Sequence, residues 1–345
     1  MIQKSNNVFK LIAETGDRFK DFSPYVASVN NLGEVAFQAE LENGDSGIFI
    51  GNGNSIIKAA DTSADSFIEF YSHPDINDNK SMCFYAEMRT GRQAVVLLKN
   101  GRSEVISLTE NNCGIVGPLG PSINENDSVT FRADMNKDYS GIYVGGTSGF
   151  KKIADTENIY KEFYGIPVIN NSGSVAYRAK LKNGSHGIFI YGNVTGEFKT
   201  DSISGFSDIG NFFGFNDTGI LVFKAVDKNG TEGIFCYNDG QYITIAEKND
   251  QFESFRNAFI NNSGKIFFSA NSENGHMGLY ECSGENILKV LSNGDTMFDS
   301  VVEETAVNAV SFNDLNQISI RIKLKDGRQI ILLSEPTKPV HAQRK

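Results

Sequence analysis

The chain has 345 residues and a formal net charge of −10, from 42 acidic and 32 basic residues. This charge argues against binding to nucleic acid and against adsorption to anionic membranes, because both partners require a basic surface. No apolar stretch approaches the length of a membrane span. The N-terminus shows no extended apolar segment with a cleavage site. We therefore expect a soluble cytoplasmic protein, or an exported one if a signal peptide has been removed.

A short pattern, in which an apolar residue precedes an asparagine, recurs along the chain. The asparagines are Asn30, Asn77, Asn124, Asn170, Asn216, Asn261 and Asn313. Each copy continues through a short turn, which is Asn-x-x-Gly in four of the seven, into a β-rich run, as in VNNLGEVAFQAELENGDSGIFI from Val29. Asn-Gly or Asp-Gly pairs then favour a hairpin turn, since both residues tolerate a positive φ. Each copy thus predicts four short strands, and no segment shows helical periodicity.

Four strands repeated about every 45 residues are typical of one blade of a β-propeller. The seventh copy stops after its third strand, at residues 330–333, and its fourth strand is found at the N-terminus. There, IAETGDRFKDF (residues 12–22) matches IADTENIYKEF (residues 153–163). Residues 8–13 are therefore expected to pair with residues 330–333 and close the ring.

The sequence accordingly predicts an all-β, seven-bladed propeller of four-stranded blades that forms one domain over residues 1–336. The predicted blades are about 23–70, 71–117, 118–163, 164–210, 211–255, 256–304, and 305–336 together with 1–22. A flexible tail is expected over residues 337–345. Aromatic residues at one repeat position are predicted to form the core between blades: Phe37, Phe84, Phe131, Tyr177, Phe223 and Phe268.

Basic residues recur at a second repeat position, inside the second strand of each blade. In blade order, the residues there are Gln38, Tyr85, Arg132, Arg178, Lys224, Ser269 and Arg321. Four basic side chains inside strands need partners, because charged groups are rarely buried alone. Acidic residues precede the inner strands at Asp21, Glu69, Glu162 and Asp208. The basic layer can therefore form ion pairs between blades, or it can bind an anion.

The inner strands begin with segments that should line the mouth of the central channel. Polar and aromatic residues there are candidates for ligand binding: Tyr25, Tyr71, His73, Tyr164 and Arg256. The first aromatic residue of these segments, such as Phe22 or Phe70, is expected to pack in the core instead. His73, Arg256 and the pair Glu303-Glu304 occur once each, and an insertion falls near residues 299–305. A specific site should break the repeat symmetry at such positions.

Fingerprints of cofactor or metal chemistry are missing from the sequence. No phosphate-binding loop, dinucleotide fingerprint or metalloprotease motif is present. The histidines His73, His186 and His276 fall in three different blades, too far apart for a zinc site unless all three reach the axis. We therefore predict no cofactor and no metal.

The pattern Asn-x-x-Gly-x-x-Ala-Phe-x-Ala followed by Asn-Gly-x-x-Gly-Ile-Phe resembles a family of bacterial tandem-repeat proteins. These proteins are often exported or anchored at the surface and are largely uncharacterised. The resemblance spans essentially residues 8–333 and implies a propeller fold.

Three functions remain open at this point. The first is a binding module that takes up a small molecule, glycan or protein partner at one asymmetric site at the channel mouth. The second is an enzyme of lyase, hydrolase or cyclase type at the same site. His73 would then be the acid or base, Arg256 an anion clamp, and Glu303 or Glu304 a second acid or base. The third is a structural scaffold, which predicts a channel mouth without such groups.

Overall fold

The computed structural model describes residues 2–63, 66–108, 115–134, 139–192, 205–249, 251–283 and 286–337. These residues form seven antiparallel sheets arranged around a channel, which confirms the predicted all-β, seven-bladed propeller. Within each blade, successive strands are hydrogen-bonded neighbours. The first strand of each blade lies nearest the channel, and the last strand forms the outer edge. From residue 338 onwards, the predicted tail lies outside the described residues.

In blades 1 to 3 the innermost strand is interrupted, so that two short segments pair with the same second strand. Blade 1 consists of Phe19–Asp21, Ser28–Val29, Val35–Leu41, Ser46–Gly51 and Ile56–Asp61. Blade 2 consists of Phe67–Phe70, Asp75–Ile76, Met82–Met88, Gln93–Lys99 and Arg102–Leu108. Blade 3 consists of Ile115–Val116, Ser122–Ile123, Val129–Asp134, Ser140–Gly146 and Gly149–Asp155.

In blades 4 to 6 the innermost strand is continuous, with one or more bulges. Blade 4 consists, among the described residues, of Tyr160–Ile169, Val175–Leu181 and His186–Tyr191. Blade 5 consists of Asp208–Phe215, Leu221–Val226, Glu232–Asn238 and Gln241–Glu247. Blade 6 consists of Phe252–Ile260, Ile266–Ser272, Met277–Ser283 and Asn286–Ser292, with Gln3–Lys4 added in parallel at its outer edge.

Blade 7 joins the two ends of the chain. Its strands are Thr296–Met297, Ser300–Ala306, Ile318–Leu324, Gln329–Pro336 and the N-terminal Asn7–Glu14, with a 3-10 turn at Ala309–Ser311. Asn7–Glu14 pairs antiparallel with Gln329–Pro336, which confirms the predicted closure of the ring. Most of the extra length of this repeat forms a short hairpin, in which Thr296 pairs with Val301.

The hydrophobic core lies between the blades. Each of the seven core clusters combines one face of a blade with the facing side of its neighbour. The repeated aromatic residues, such as Phe84 and Tyr177, are at most 1% exposed and lie in these clusters, as predicted. The first aromatic residues of the mouth segments pack beside them; the rings of Phe22 and Phe37, for example, meet edge to face at 5.6 Å. Burial of these side chains is the main favourable term that holds neighbouring blades together.

The repeated asparagines form a closed circle of hydrogen bonds, which we call the asparagine ring. Each Nδ2 donates to the backbone carbonyl oxygen of the equivalent asparagine in the next blade, and Asn313 completes the circle by donating to Asn30. Each Oδ1 accepts from the backbone N–H four residues later in its own turn. One buried side chain therefore closes its own turn and holds the adjacent blade in register.

A second circle, the capping ring, is formed by the residues that follow these asparagines. Its members are Asn31, Asp78, Glu125, Asn171, Asp217, Asn262 and Asp314. Each of these side chains accepts a hydrogen bond from the backbone N–H of the equivalent residue in the preceding blade. An Asx residue in a turn ordinarily caps its own backbone, whereas here the carboxylates and amides of the capping ring bridge two blades.

We expect Asn170→Ala to lower the free energy of unfolding by about 2–4 kcal/mol, because two backbone groups each lose a hydrogen bond, one of them across the boundary between blades. These groups are the Asn216 carbonyl oxygen, 3.1 Å from Asn170 Nδ2, and the Ser174 N–H, 2.9 Å from Oδ1. Urea denaturation measures the change. The control is Asn183→Ala in an exposed hairpin turn, where the expected cost is below about 1 kcal/mol. Equal costs for the two variants would contradict a special role of the ring.

Candidate functional site

The two ends of the channel differ in structure. At the end that carries the asparagine ring, the apolar residues before each asparagine converge and leave a cavity of about 160 Å³. These residues are Val29, Ile76, Ile123, Ile169, Phe215, Ile260 and Phe312. The polar groups around them are committed to bonds between blades, so this end of the channel is mainly structural.

A second cavity, of about 310 Å³, lies further from the asparagine ring along the inner strands, and we call it the mouth cavity. It is bounded by blades 1, 2, 5, 6 and 7 and by the segment that carries Leu119. Five of the residues singled out in the sequence line it together: Tyr25, His73, Arg256, Glu304 and Arg321. The volume is at the lower end of the range for small-ligand sites.

The mouth cavity lies where the repeat lacks a large side chain. Ser269 occupies the position of the basic layer in blade 6, is 7% exposed and lines the cavity. In blade 1 the same position holds Gln38, whose Nε2 donates to the Phe70 carbonyl oxygen of blade 2 at 2.8 Å. Ser269 is too short for such a contact, so space remains between blades 6 and 7.

The rest of the basic layer makes mostly local contacts. Arg132 Nη1 donates to the Phe163 carbonyl oxygen of blade 4 at 2.7 Å. Lys224 lies between two carboxylates of its own blade, Asp208 at 3.4 Å and Glu232 at 3.3 Å. These contacts brace single blades or adjacent pairs, and most of them are not the ion pairs between blades that the sequence suggested.

The two most buried arginines of this layer, Arg178 and Arg321, have different surroundings. The Arg178 guanidinium lies over the Tyr164 ring, 4.4 Å from its centroid, and 3.9 Å from Asp208 of blade 5. Arg321 is 4% exposed and donates from Nη2 to Glu304 Oε1 at 2.7 Å. The Nε of each arginine is buried without a hydrogen-bond partner among the described residues. Only Arg321 of the two lines the mouth cavity.

The His73 side chain forms part of the cavity wall and is buried rather than exposed. Its ring is 2% exposed and packs against Gly120, where any Cβ would lie 2.6 Å from the imidazole. Asn308 Nδ2 lies 3.4 Å from both ring nitrogens. Burial lowers the pKa of His73 to about 4, so the imidazole is neutral at pH 7. It can therefore exchange hydrogen bonds with a ligand but supplies no positive charge.

The other predicted site residues take different positions. Tyr25 is half-buried at the cavity, and Arg256 is exposed at its edge. Tyr71 donates to the Ala86 carbonyl oxygen at 2.9 Å and packs in the core between blades 2 and 3. Tyr164 donates to Glu162 at 2.6 Å and stacks on Arg178. Glu303 is exposed and, like these last two tyrosines, is not among the described residues that line the cavity.

Some cavity residues were not singled out from the sequence. Phe212, Met277 and Leu119 supply apolar surface, and Asn257 and Asn308 supply amides. Asn308 lies five residues before Asn313, just as Tyr25 and Arg256 lie five residues before Asn30 and Asn261, so its repeat position could have indicated it. Ser269 could have been noticed in the sequence, because it is a small residue at a repeat position where the other six blades have a large one.

The described residues contain no group of three or more histidine, cysteine, aspartate or glutamate side chains that could hold a metal ion. Within the same part of the chain there is also no candidate transmembrane helix. The charged groups that line the mouth cavity are the guanidinium groups of Arg256 and Arg321 and the carboxylate of Glu304. The cavity can thus offer charge-assisted hydrogen bonds to a ligand.

No family model matches the chain, and no curated protein matches it either. Among solved structures, the fold is similar to the β-propeller domain of the Trilobed protease from Pyrococcus furiosus, which has an open velcro topology. The TM-score is 0.55 at 14% identity, over 85% of this chain and 97% of that one. In the present chain, by contrast, the N-terminal strand closes the ring.

Two further structures share the fold. The acylaminoacyl peptidase of Pyrococcus horikoshii has a TM-score of 0.57 at 14% identity, over 90% of this chain and 52% of the peptidase. A chain of the mitotic checkpoint complex has a TM-score of 0.52 at 11% identity, over 96% of this chain and 92% of that one. At these identities the likeness shows the fold alone.

His73→Gln tests the neutral, buried imidazole. Unfolded histidine takes up a proton below its ordinary pKa of 6.5, whereas folded His73 takes one up only near pH 4. Wild-type stability should therefore fall as the pH drops from 6.5 to 4. The variant lacks this loss and gains up to about 3 kcal/mol relative to wild type at pH 4, at 1.4 kcal/mol per pKa unit. Urea denaturation across this range measures the difference; a difference independent of pH would contradict the assignment.

Asp75 lies two residues after His73 in the inner part of blade 2. For Asp75→Asn, the pH dependence of stability relative to wild type should have the opposite sign. Burial raises the pKa of Asp75 to about 7, although Oδ2 accepts from the Ile123 N–H at 2.9 Å. Folded Asp75 thus keeps a proton that the unfolded chain releases near pH 4, and wild-type stability falls as the pH rises from 4 to 7. The variant should gain at most about 4 kcal/mol relative to wild type at pH 8. A gain at acid pH instead would contradict this sign.

Proposed function

We propose that this propeller is a binding protein that takes up a small ligand in the mouth cavity. The observation that carries the proposal is the break in the repeat at Ser269, beside Arg321 and Arg256. Folding alone would be served by a large side chain at this position, as in the other six blades. A cavity of about 310 Å³ suits a small molecule better than a protein surface, which needs a wider contact area.

The contacts of the candidate catalytic groups favour binding over catalysis. His73 is buried, neutral at pH 7 and next to the Asn308 amide. The Glu304 carboxylate accepts from Arg321. Both groups already have protein partners, which fits structural and ligand-binding roles of these side chains better than proton transfer to a reacting atom. We therefore propose a binding role rather than the enzymatic alternative.

Filling the cavity tests the proposal. In Ser269→Gln the new amide should reach the Thr305 carbonyl oxygen, because Thr305 of blade 7 corresponds to Phe70 of blade 2. We expect thermal-shift screening of sugars, nucleosides, carboxylates and amides to find a ligand that raises the melting temperature of the wild type. Ser269→Gln should fold normally and lose at least about 90% of that shift, by exclusion of the ligand.

The matched control is Ser103→Gln, an exposed position on the outer strand of blade 2. This variant should keep the full shift. A ligand that stabilises wild type and Ser269→Gln equally would bind elsewhere and would overturn the proposed site.

A further inference from the structure

We infer that the ligand of the mouth cavity is a small organic monocarboxylate, whose carboxylate group binds Arg321 and Arg256. This inference rests on the proposed binding function and names its ligand class. Three features support this ligand class: the partners that Arg321 lacks, the charge of the cavity lining and the residues that surround the remaining space.

Arg321 has lost the partner that its equivalent in blade 3 has. Arg132 donates to the carbonyl oxygen of Phe163, at the inner strand of the following blade. The blade that follows Arg321 is blade 1, where Phe22 takes the place of Phe163 in the repeat. Among the described contacts, Arg321 makes no bond to the inner strand of that blade.

The buried guanidinium of Arg321 is consequently undersatisfied. A guanidinium has five N–H donors and prefers a bidentate carboxylate. Among the described residues, Arg321 makes one hydrogen bond, from Nη2 to Glu304, although its side chain is only 4% exposed. A buried charge with too few partners is costly, and a second carboxylate in the cavity would supply them.

The charge of the cavity lining favours a monoanion. Arg256 and Arg321 contribute two positive charges and Glu304 one negative charge, which leaves a net charge of +1 in a protein of net charge −10. Arg256 has no carboxylate oxygen within 4.0 Å among the described residues, so its charge is available at the edge of the cavity. Glu304 would repel a dianion such as phosphate, so the lining fits a singly charged carboxylate best.

The uncharged residues of the cavity lining indicate which organic group carries the carboxylate. Phe212, Met277 and Leu119 offer apolar contacts, and Tyr25 adds an aromatic ring with a hydroxyl group. Asn257 offers an amide that can bond to a polar substituent. A carboxylate with an aromatic or branched apolar body fits this combination.

The experiment compares organic acids with their isosteric primary amides. The probes are benzoate and benzamide, 4-hydroxyphenylacetate and its amide, and 4-methylpentanoate and its amide, at equal ionic strength and pH 7. Isothermal titration calorimetry should show that at least one acid binds at least about tenfold more tightly than its amide, because only the acid forms charge-assisted hydrogen bonds.

Three variants locate the carboxylate. Arg321→Met should weaken acid binding at least about tenfold, and Arg256→Gln about threefold, because its charge is exposed and screened. Glu304→Gln should bind the acid as well as or better than wild type, since the competing carboxylate is removed. The matched control is Arg178→Met, which removes the equally buried arginine of blade 4 and should leave acid binding unchanged.

Several results would overturn the inference. Equal binding of acids and amides, unchanged binding by Arg321→Met, or no binding of any acid would each refute it. Inorganic phosphate that binds as tightly as the acids would show a general anion site instead. If neutral ligands bind and Ser269→Gln blocks them, the proposed function stands and the carboxylate assignment fails. If Ser269→Gln leaves the binding of every probe unchanged, both proposals fail.

Discussion

The structure depends on one repeated side chain, the asparagine at the end of each inner strand. Its amide must donate across the boundary to the next blade while its carbonyl oxygen closes its own turn. Asparagine meets both needs because it carries a donor and an acceptor on a short, uncharged side chain. Aspartate would lack the donor, and glutamine would place the same groups one methylene further out. The recurrence of this residue follows from the geometry of a closed ring, in which every blade has two neighbours.

The capping ring shows how a more variable position performs a similar task. Asparagine, aspartate and glutamate all occur there, because accepting one backbone N–H requires only an oxygen. The carboxylates of this ring are thus already engaged with the backbone of the preceding blade. The acidic residues of the capping ring are explained by the fold, and the repeat is broken elsewhere, at the mouth cavity.

At the mouth, two departures from the repeat meet. Ser269 leaves space between blades 6 and 7, and Arg321 makes none of the bonds to the following blade that Arg132 makes in blade 3, among the described contacts. Each departure alone would weaken the packing of the ring. Together they form a cavity with a buried guanidinium at its wall, which is the arrangement that supports a binding role.

The sequence by itself determined the propeller, its closure by Asn7–Glu14 and the aromatic core, because these features rest on local turns and on a periodic pattern that is repeated in every blade. It also singled out five residues of the site: His73, Arg256 and Glu304 as departures from that pattern, Arg321 as a member of the basic layer, and Tyr25 as a residue of the channel mouth. Only the tertiary structure decided that these five residues share one cavity, whereas Tyr71, Tyr164 and Glu303 do not line it. The reason is physical: these contacts join residues of blades that are distant in the chain, and the directions of their side chains depend on bulges and interrupted strands that leave no periodic trace.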